Sequence, residues 1–224
     1  MIPRTHFLIM LAAIAVNAAL GTYFYPRLPD PCPIHWNWRG QVDDYGSPTM
    51  MAFGWPAITL GLAILLTGLP LLGPFRKNFD KFRITFGRIC VTITVFLCGL
   101  QLVFLLAASG RQLRIGSSLC ILIGLLFAVL GNWMGKLRRN LYVGIRTPWT
   151  IANEVVWERT HRLGGKLMVA AGLISAVTGL FAGDSVCLVV LLSSLIGTVG
   201  VAVIYSLVEY RRLGEVDDLS REVS

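Results

Sequence analysis

The apolar stretches of this chain contain very little charge. Of its 224 residues, 55% are hydrophobic and only 14% are charged. No Asp, Glu, Lys, Arg or His lies near the centre of any long apolar run. Ionisable groups inside membrane helices mark ion paths, proton relays and voltage sensors. Their absence argues against a pump or an ion-coupled transporter.

Cysteines and catalytic motifs are also sparse. Four of the five cysteines lie in apolar runs, where a thiol behaves as a small hydrophobe, and only Cys32 lies in a polar loop. An odd, scattered set argues against a disulfide framework. Because the chain has no nucleophile–base pair or phosphate loop, we expect no enzymatic activity, no cofactor and no bound metal. A metal-dependent enzyme that uses His35 with Asp43 or Asp44 remains an alternative.

Six apolar runs dominate the chain. A run of about 20 residues can cross a hydrocarbon core of roughly 30 Å. Because backbone groups in hydrocarbon must be hydrogen-bonded within the segment, these runs should be helices. The first run is too long for a signal peptide, so we expect it to be retained. The sequence thus predicts an all-α polytopic membrane protein with about six transmembrane helices, near Phe7–Tyr25, Met50–Leu72, Ile89–Ala108, Ile115–Met134, Leu167–Ala182 and Val186–Leu207.

Lys and Arg residues alternate from loop to loop, and this pattern orients the spans. Only four of the 20 Lys and Arg residues lie on one side, in the first and third loops. The positive-inside rule places the others, and both termini, in the cytoplasm. The net charge of +8 is then explained by topology and by contact with membrane lipid, without direct nucleic-acid binding. We divide the chain into the first two spans with an outward loop at 26–48 (1–74), the next two spans (75–135), a cytoplasmic loop with the last two spans (136–207) and a charged cytoplasmic tail (208–224).

Polar and small residues within the spans predict contacts between helices. Asn17 and Gln101 are the most polar residues near the middle of a span. They either donate hydrogen bonds to a neighbouring helix or line a polar path. The pairs Gly131/Gly135 and Gly179/Gly183 have the small-xxx-small spacing that permits close helix contact, which we expect within one chain.

The outward loop, residues 26–48, combines prolines with aromatic and polar side chains. Four prolines in its first half favour an extended chain over a helix. Asp44-Tyr45-Gly46 predicts a turn, and Ser47 before Pro48 predicts the start of the second span. Its Trp and Tyr residues are either interfacial anchors or part of a recognition surface for an extracellular molecule. The candidates for that surface are His35, Trp36, Asn37, Trp38, Asp43 and Tyr45.

The fourth loop is longer and is predicted to be cytoplasmic. Thr147 before Pro148 suits an N-cap and first helical residue, with Thr150 as a competing cap. From there to Leu163 we expect a short interfacial amphipathic helix, which Gly164-Gly165 ends before the fifth span. This helix is either anchored among lipid headgroups or docked to a cytoplasmic partner.

Charged and aromatic residues make up the candidate docking surface of this loop. Glu158 and Arg162 have the i,i+4 spacing of a favourable ion pair on the expected helix. The docking interpretation uses Arg146, Thr147, Trp149, Thr160, His161 and Arg162.

Both loops contain motifs that resemble those of the SdpI-type immunity proteins. The outward motif comprises Leu28-Pro29, Ile34 to Asn37, Gly40, Asp43 and Tyr45-Gly46-Ser47. The inward motif comprises Asn132, Asn140, Gly144 to Thr150, Trp157, Thr160-His161-Arg162 and Gly164-Gly165. The resemblance adds Gly40 to the recognition candidates, and adds Asn140, Gly144, Pro148, Thr150 and Trp157 to the docking candidates.

The resemblance also implies a function. It implies a multi-pass protein of the bacterial inner membrane that protects its cell against a secreted peptide toxin. It further implies that the toxin-engaged protein holds a small cytoplasmic transcriptional repressor at the membrane. It assigns no catalytic residues. The alternative is an uncoupled transporter or exporter of a small solute or peptide, because such a protein needs no buried charge.

Overall fold

A computed structural model describes residues 2–72 and 76–222, with side chains at 2–70 and 79–214. Six of its helices are long and apolar enough to cross a membrane, which confirms the prediction of an all-α polytopic membrane protein. A 3₁₀ turn at Tyr25–Arg27 follows the first helix. The elements are α1 (Arg4–Phe24), β1 (Cys32–Trp36), β2 (Val42–Gly46), α2 (Pro48–Leu72), α3 (Arg76–Ala108), α4 (Ile115–Met134), α5 (Pro148–Ala152), α6 (Glu154–Phe181) and α7 (Asp184–Glu222).

The six long helices form two groups that meet between α3 and α4. Helices α1, α2 and α3 pack on one another, and α6 packs on both α4 and α7. Asn17 of α1 donates a hydrogen bond to Thr59 Oγ1 of α2 at 3.0 Å. Gln101 of α3 donates to the Ala52 carbonyl of α2 at 2.9 Å. Both mid-span polar residues therefore link neighbouring helices, as one of their two interpretations predicted.

Glycines bring α4 and α6 unusually close. A Cβ on Gly131 would lie 2.7 Å from the Gly165 carbonyl oxygen, and one on Gly179 would lie 2.8 Å from that of Ser117. The predicted close contacts are thus confirmed within the chain for Gly131 and Gly179, whereas Gly183 has no atom within 4 Å of its Cβ position and makes none. The predicted helix end at Gly164-Gly165 is wrong, because α6 runs unbroken through both residues. Packing against α4 outweighs the weak helix propensity of glycine.

Several helices are longer than their apolar runs. Helix α3 begins at Arg76, and α6 begins at Glu154 rather than at the predicted Leu167. The short amphipathic helix expected up to Leu163 is only the five-residue α5, and the rest belongs to α6. Glu158 pairs with Arg138 instead of the predicted Arg162. Hydropathy marks where a helix is in hydrocarbon, whereas caps and tertiary contacts decide where it ends.

The outward loop contains a β-hairpin that the sequence did not predict. Strand β1 pairs antiparallel with β2, with Cys32 opposite Gly46 and Trp36 opposite Val42. Proline is tolerated here because both strands of a two-stranded sheet are edge strands. The predicted turn at Asp44-Tyr45-Gly46 is wrong, because these residues lie in β2. The predicted start of the second span is confirmed, since Ser47 Oγ accepts a hydrogen bond from the Met50 N–H at 3.1 Å.

Buried apolar residues gather at both ends of the helices. Phe79, Phe82 and Phe86 of α3 pack with Met10 and Trp157 at the end that the positive-inside rule assigns to the cytoplasm. At the hairpin end, Cys32 packs with a second cluster of Phe24, Met51, Leu105 and Ala108. The two clusters fix the hairpin and the fourth loop to opposite ends of the molecule.

Candidate functional site

The tip of the hairpin is shaped by Asn37 and Gly40. The Asn37 side-chain oxygen accepts hydrogen bonds from the backbone N–H groups of Arg39 at 2.9 Å and Gln41 at 3.1 Å. Gly40 has a φ of +75°, a conformation that favours glycine. A Cβ at Gly40 would also lie 2.6 Å from Asp184 Oδ2. Gly40 is thus required both for the turn and for the close approach of the tip to the start of α7.

One face of the hairpin rests on the helices. The Trp36 ring stacks on Phe104 of α3 with centroids 5.6 Å apart, and Phe104 in turn stacks on Trp55 of α2 at 5.4 Å. Cys32 is fully buried. Burial raises the pKa of its thiol, and the negative charge of Asp30 adds to this effect. This face therefore holds the hairpin against α2 and α3.

The other face and the tip of the hairpin carry exposed polar and aromatic groups. His35 Nδ1 lies 2.6 Å from Asp43 Oδ1, across the two strands, and both side chains are exposed. Trp38 and Tyr45 each keep 55% of their surface exposed. Of the predicted recognition residues, His35, Trp38, Asp43 and Tyr45 thus lie on the surface. Trp36, Asn37 and Gly40 instead build the hairpin and its contacts.

A cavity of about 360 Å³ separates the hairpin from α4 and α7. The hairpin lines one side with His35, Trp36, Asn37 and Trp38, and apolar residues of α4 and α7, including Leu119 and Leu188, line the other. Asp184 lies at its edge, where its carboxylate accepts hydrogen bonds from the backbone N–H and the hydroxyl of Ser117 at 3.0 and 2.9 Å. Sequence reasoning missed Asp184. Its signal was its place as an acidic residue in the fifth loop, which carries no Lys or Arg.

At the opposite end, Asn140 folds the fourth loop. Its side-chain oxygen accepts hydrogen bonds from the backbone N–H groups of Tyr142 at 2.7 Å and Val143 at 2.9 Å. Its side-chain nitrogen donates to the Arg138 carbonyl at 2.7 Å. Because Asn140 is buried, its role in this structure is to satisfy loop backbone rather than to contact a partner.

Trp157 and His161 of α6 form the centre against which the loop folds. Their rings stack with centroids 4.0 Å apart, and the Trp157 ring N–H donates to the Leu137 carbonyl at 2.8 Å. His161 Nδ1 lies 2.8 Å from the Trp157 carbonyl, and His161 Nε2 lies 2.9 Å from the Ile145 nitrogen. Since Ile145 can only donate from that nitrogen, Nε2 accepts and Nδ1 carries the proton. His161 is therefore a neutral, fully buried link between α6 and the loop.

Gly144 lies directly against His161. Its φ is +125°, and a Cβ there would lie 2.4 Å from His161 Nε2. Only glycine satisfies both the backbone conformation and this contact. The Gly144 of the motif is thus explained by packing.

The predicted N-cap at Thr147 is confirmed. Thr150 takes part in the same cap instead of competing with it. The Thr147 hydroxyl accepts from the Thr150 N–H at 3.3 Å, and the Thr150 hydroxyl accepts from the Thr147 N–H at 2.9 Å. The two threonines form a reciprocal capping box for α5. The Trp149 ring N–H donates to Ser206 of α7. The loop is therefore fastened to α7 as well as to α6.

A second link joins α6 to α7. Arg159 Nη1 lies 2.6 Å from the Glu209 carboxylate, which is itself buried. Arg212 approaches the other Glu209 oxygen at 3.7 Å. Removing Arg159 would destabilise the fold, because the charge of the buried Glu209 carboxylate would be left without its main partner.

The predicted docking surface is smaller in the structure than in the sequence. Five of its candidates are buried and do not reach the surface: Asn140, Thr150, Trp157, Thr160 and His161. Arg146 and Pro148 are exposed, and Thr147 and Trp149 are half-buried. Arg162 is exposed but lies in a different cleft, between α4 and α6, which Lys136 also lines. The available surface of the fourth loop is therefore centred on Arg146 and Trp149.

Two family sequence models match parts of the chain. The sequence model of the SdpI/YfhL protein family matches residues 136–208, which contain all of the inward motif except Asn132. The SdpI-type resemblance is confirmed. Residues 12–60, which contain the hairpin, match a domain of unknown function (DUF1648).

The chain is also similar along most of its length to a curated protein. It is 25% identical over 192 residues to the immunity protein SdpI of Bacillus subtilis (strain 168), covering 86% of this chain and 90% of that protein. No solved structure matches the chain significantly.

Proposed function

We propose that the chain is an immunity protein of the bacterial cytoplasmic membrane that protects its cell against a secreted peptide toxin. The observation that carries this proposal is the similarity over 86% of the chain to an immunity protein. The two motifs of the chain form distinct structures at opposite ends of the membrane helices. This arrangement suits a protein that meets one molecule outside the cell and another inside.

The hairpin is the proposed site of toxin recognition. Its exposed Trp38 and Tyr45 offer aromatic surface, and the His35–Asp43 pair offers hydrogen-bonding groups. The cavity beneath it has a volume of about 360 Å³, which is large enough for an apolar side chain of a peptide. Its wall is suited to such a side chain because it includes Leu119 and Leu188. A peptide would thus be held by its backbone and polar groups at the hairpin and by an apolar side chain in the cavity.

Helix α7 is the proposed connection between the two ends. Its first residue, Asp184, lies against the hairpin tip, and its Ser206 and Glu209 hold the fourth loop and α6. A toxin that binds two positions of α7 with different affinity would shift the population between them. The shift would change how Arg146 and Trp149 are presented to a transcriptional repressor in the cytoplasm.

Protection can be tested by measuring membrane potential. Toxin-sensitive bacteria that express the chain would be challenged with the peptide toxin of the system to which the Bacillus subtilis relative belongs. We expect the chain to preserve the potential, and the double variant Trp38→Ala/Tyr45→Ala to lose this protection. Phe181→Ala is the matched control, because Phe181 is an aromatic residue at the same end that is 82% exposed outside the hairpin. Depolarisation in cells with the native chain in their membrane would refute the proposal.

Repressor capture needs a separate test. A fluorescently tagged repressor encoded beside the chain should move to the membrane when toxin is present. We expect Arg146→Ala to abolish this movement, whereas Arg83→Ala, which removes an exposed charge elsewhere at the same end, should not. An unchanged distribution with Arg146→Ala would remove this surface from the proposal and leave protection untouched.

A further inference from the structure

We propose that the cleft between α4 and α6 at the predicted cytoplasmic end binds the phosphate of an anionic phospholipid headgroup. Two adjoining cavities, of about 430 and 370 Å³, share Gly135, Lys136 and Arg162 in their walls. Together they make one continuous cleft beside the last turn of α4. The inference concerns neither the hairpin nor the Arg146 surface, so it does not depend on the proposed immunity function.

The cleft has a large excess of positive charge. Its lining contains five cations and one carboxylate, namely Lys81, Lys136, Arg138, Arg162, Lys166 and Glu158. Glu158 pairs with Arg138. Among the described side chains, no carboxylate lies within 4.0 Å of the other four cations. Several cations held in one cleft repel one another, and an anion bound between them offsets this repulsion. A phosphate suits the cleft because it accepts hydrogen bonds from both Arg and Lys.

Glycines let α4 and α6 approach each other closely beside the cleft. A Cβ on Gly165 would lie 2.6 Å from the Gly131 carbonyl oxygen, and one on Gly135 would lie 3.6 Å from the Arg162 Cα. A larger residue at Gly165 would push the two helices apart. The close crossing of α4 and α6 therefore brings Lys136 and Arg162 to either side of an open groove.

The position of the cleft favours a lipid over a soluble anion. Its deeper end is lined by Gly131 and Val169, which lie inside the membrane spans, so an acyl chain can continue where the headgroup ends. Trp133 lies at the same level, with Arg88 and Lys136 over its ring at 4.6 and 4.5 Å. Tryptophan and basic residues together are typical of the headgroup layer, and basic pockets between helices on the cytoplasmic side bind anionic lipids.

The test counts lipid molecules bound to the full-length protein. Native mass spectrometry in detergent would be used to titrate phosphatidylglycerol and, in parallel, zwitterionic phosphatidylcholine. We expect phosphatidylglycerol to bind preferentially, and Lys136→Gln/Arg162→Gln to weaken its binding about tenfold or more, since each basic residue contributes to attraction for anionic lipid. Binding of both lipids with equal affinity would overturn the proposal, as would unchanged binding to this variant.

Two controls separate a specific site from a general charge effect. Arg83→Gln/Arg211→Gln removes two exposed charges at the predicted cytoplasmic end but outside the cleft, and it should bind phosphatidylglycerol like the native protein. An equal fall in both double variants would overturn the proposal. Lys136→Arg/Arg162→Lys keeps the charge and should retain binding; its loss in a folded protein would contradict the phosphate site. Displacement of the lipid by millimolar inorganic phosphate would instead identify a soluble anion as the ligand.

Discussion

The hairpin and the fourth loop use their motif residues in opposite ways. In the hairpin, Asn37 and Gly40 shape the backbone, while Asp43 is exposed and Tyr45 keeps 55% of its surface exposed. In the fourth loop, Trp157 and His161 are fully buried and hold the backbone together. The comparison teaches that the longer motif of this chain serves mainly to fold the loop, whereas the shorter motif also leaves polar and aromatic groups exposed.

The largest effect should come from the centre of the fourth loop. Trp157→Ala removes a buried ring that stacks on His161 and donates to the Leu137 carbonyl. We expect a loss of about 3 kcal/mol or more in the free energy of unfolding, because a large cavity and an unpaired carbonyl remain. Thermal unfolding in detergent would measure it. Val155→Ala, two residues away and 44% exposed, should change little, and equal stability of the two variants would contradict the structural role of Trp157.

A slightly smaller effect is expected at Gly144. Gly144→Ala would force an alanine to a φ of +125° and place its Cβ 2.4 Å from His161 Nε2. Such backbone strain costs on the order of 1–3 kcal/mol. The same unfolding measurement should show this loss, whereas Gly183→Ala, with no atom within 4 Å of its Cβ position, should be nearly neutral. A neutral Gly144→Ala would mean that the loop does not pack on His161.

The length of the apolar runs and the choice of residues at helix ends account for most of what the sequence could predict. The six apolar runs predicted the spans, because hydrocarbon imposes a length and excludes charge. The cap at Thr147 was predictable because capping depends on neighbouring residues. Both features depend only on residues that are close together in the sequence.

The burial of the motif residues was not predictable in the same way. His161 and Trp157 lie on an amphipathic segment and could equally have faced lipid headgroups or a partner. Their burial depends on the return of residues 137–145 over α6, which places the Leu137 carbonyl and the Ile145 N–H beside them. The hairpin was missed for a related reason, since its pairing is maintained by Trp36 against Phe104, a residue 68 positions away in the chain.

A moderate effect is expected where the hairpin touches α7. Gly40→Ala and Gly110→Ala both place alanine at positive φ, +75° and +84°, but only Gly40 has a neighbour, Asp184, near its Cβ position. We expect both to cost about 1 kcal/mol through strain. Only Gly40→Ala should also reduce protection against the toxin in the membrane-potential assay. Equal protection by both variants would argue against a role for the contact with Asp184.

The smallest effect concerns the native thiol of the hairpin. Cys32 is fully buried, and burial together with Asp30 raises the pKa of its thiol. Since the thiolate is the reactive form, we expect a membrane-impermeant maleimide to label the folded native chain much more slowly than the unfolded chain. Mass spectrometry would measure the modified fraction. Rapid labelling of Cys32 would show that the hairpin lifts away from α2 and α3.

Cysteine labelling of intact cells tests most directly the central claim that the hairpin faces outward and the fourth loop faces the cytoplasm. The variants Trp38→Cys and Arg146→Cys each introduce a thiol at an exposed position of one region. A membrane-impermeant maleimide should label Trp38→Cys in intact cells, and should label Arg146→Cys only after the cells are permeabilised. Labelling of Arg146→Cys but not Trp38→Cys in intact cells would reverse the orientation and contradict the account.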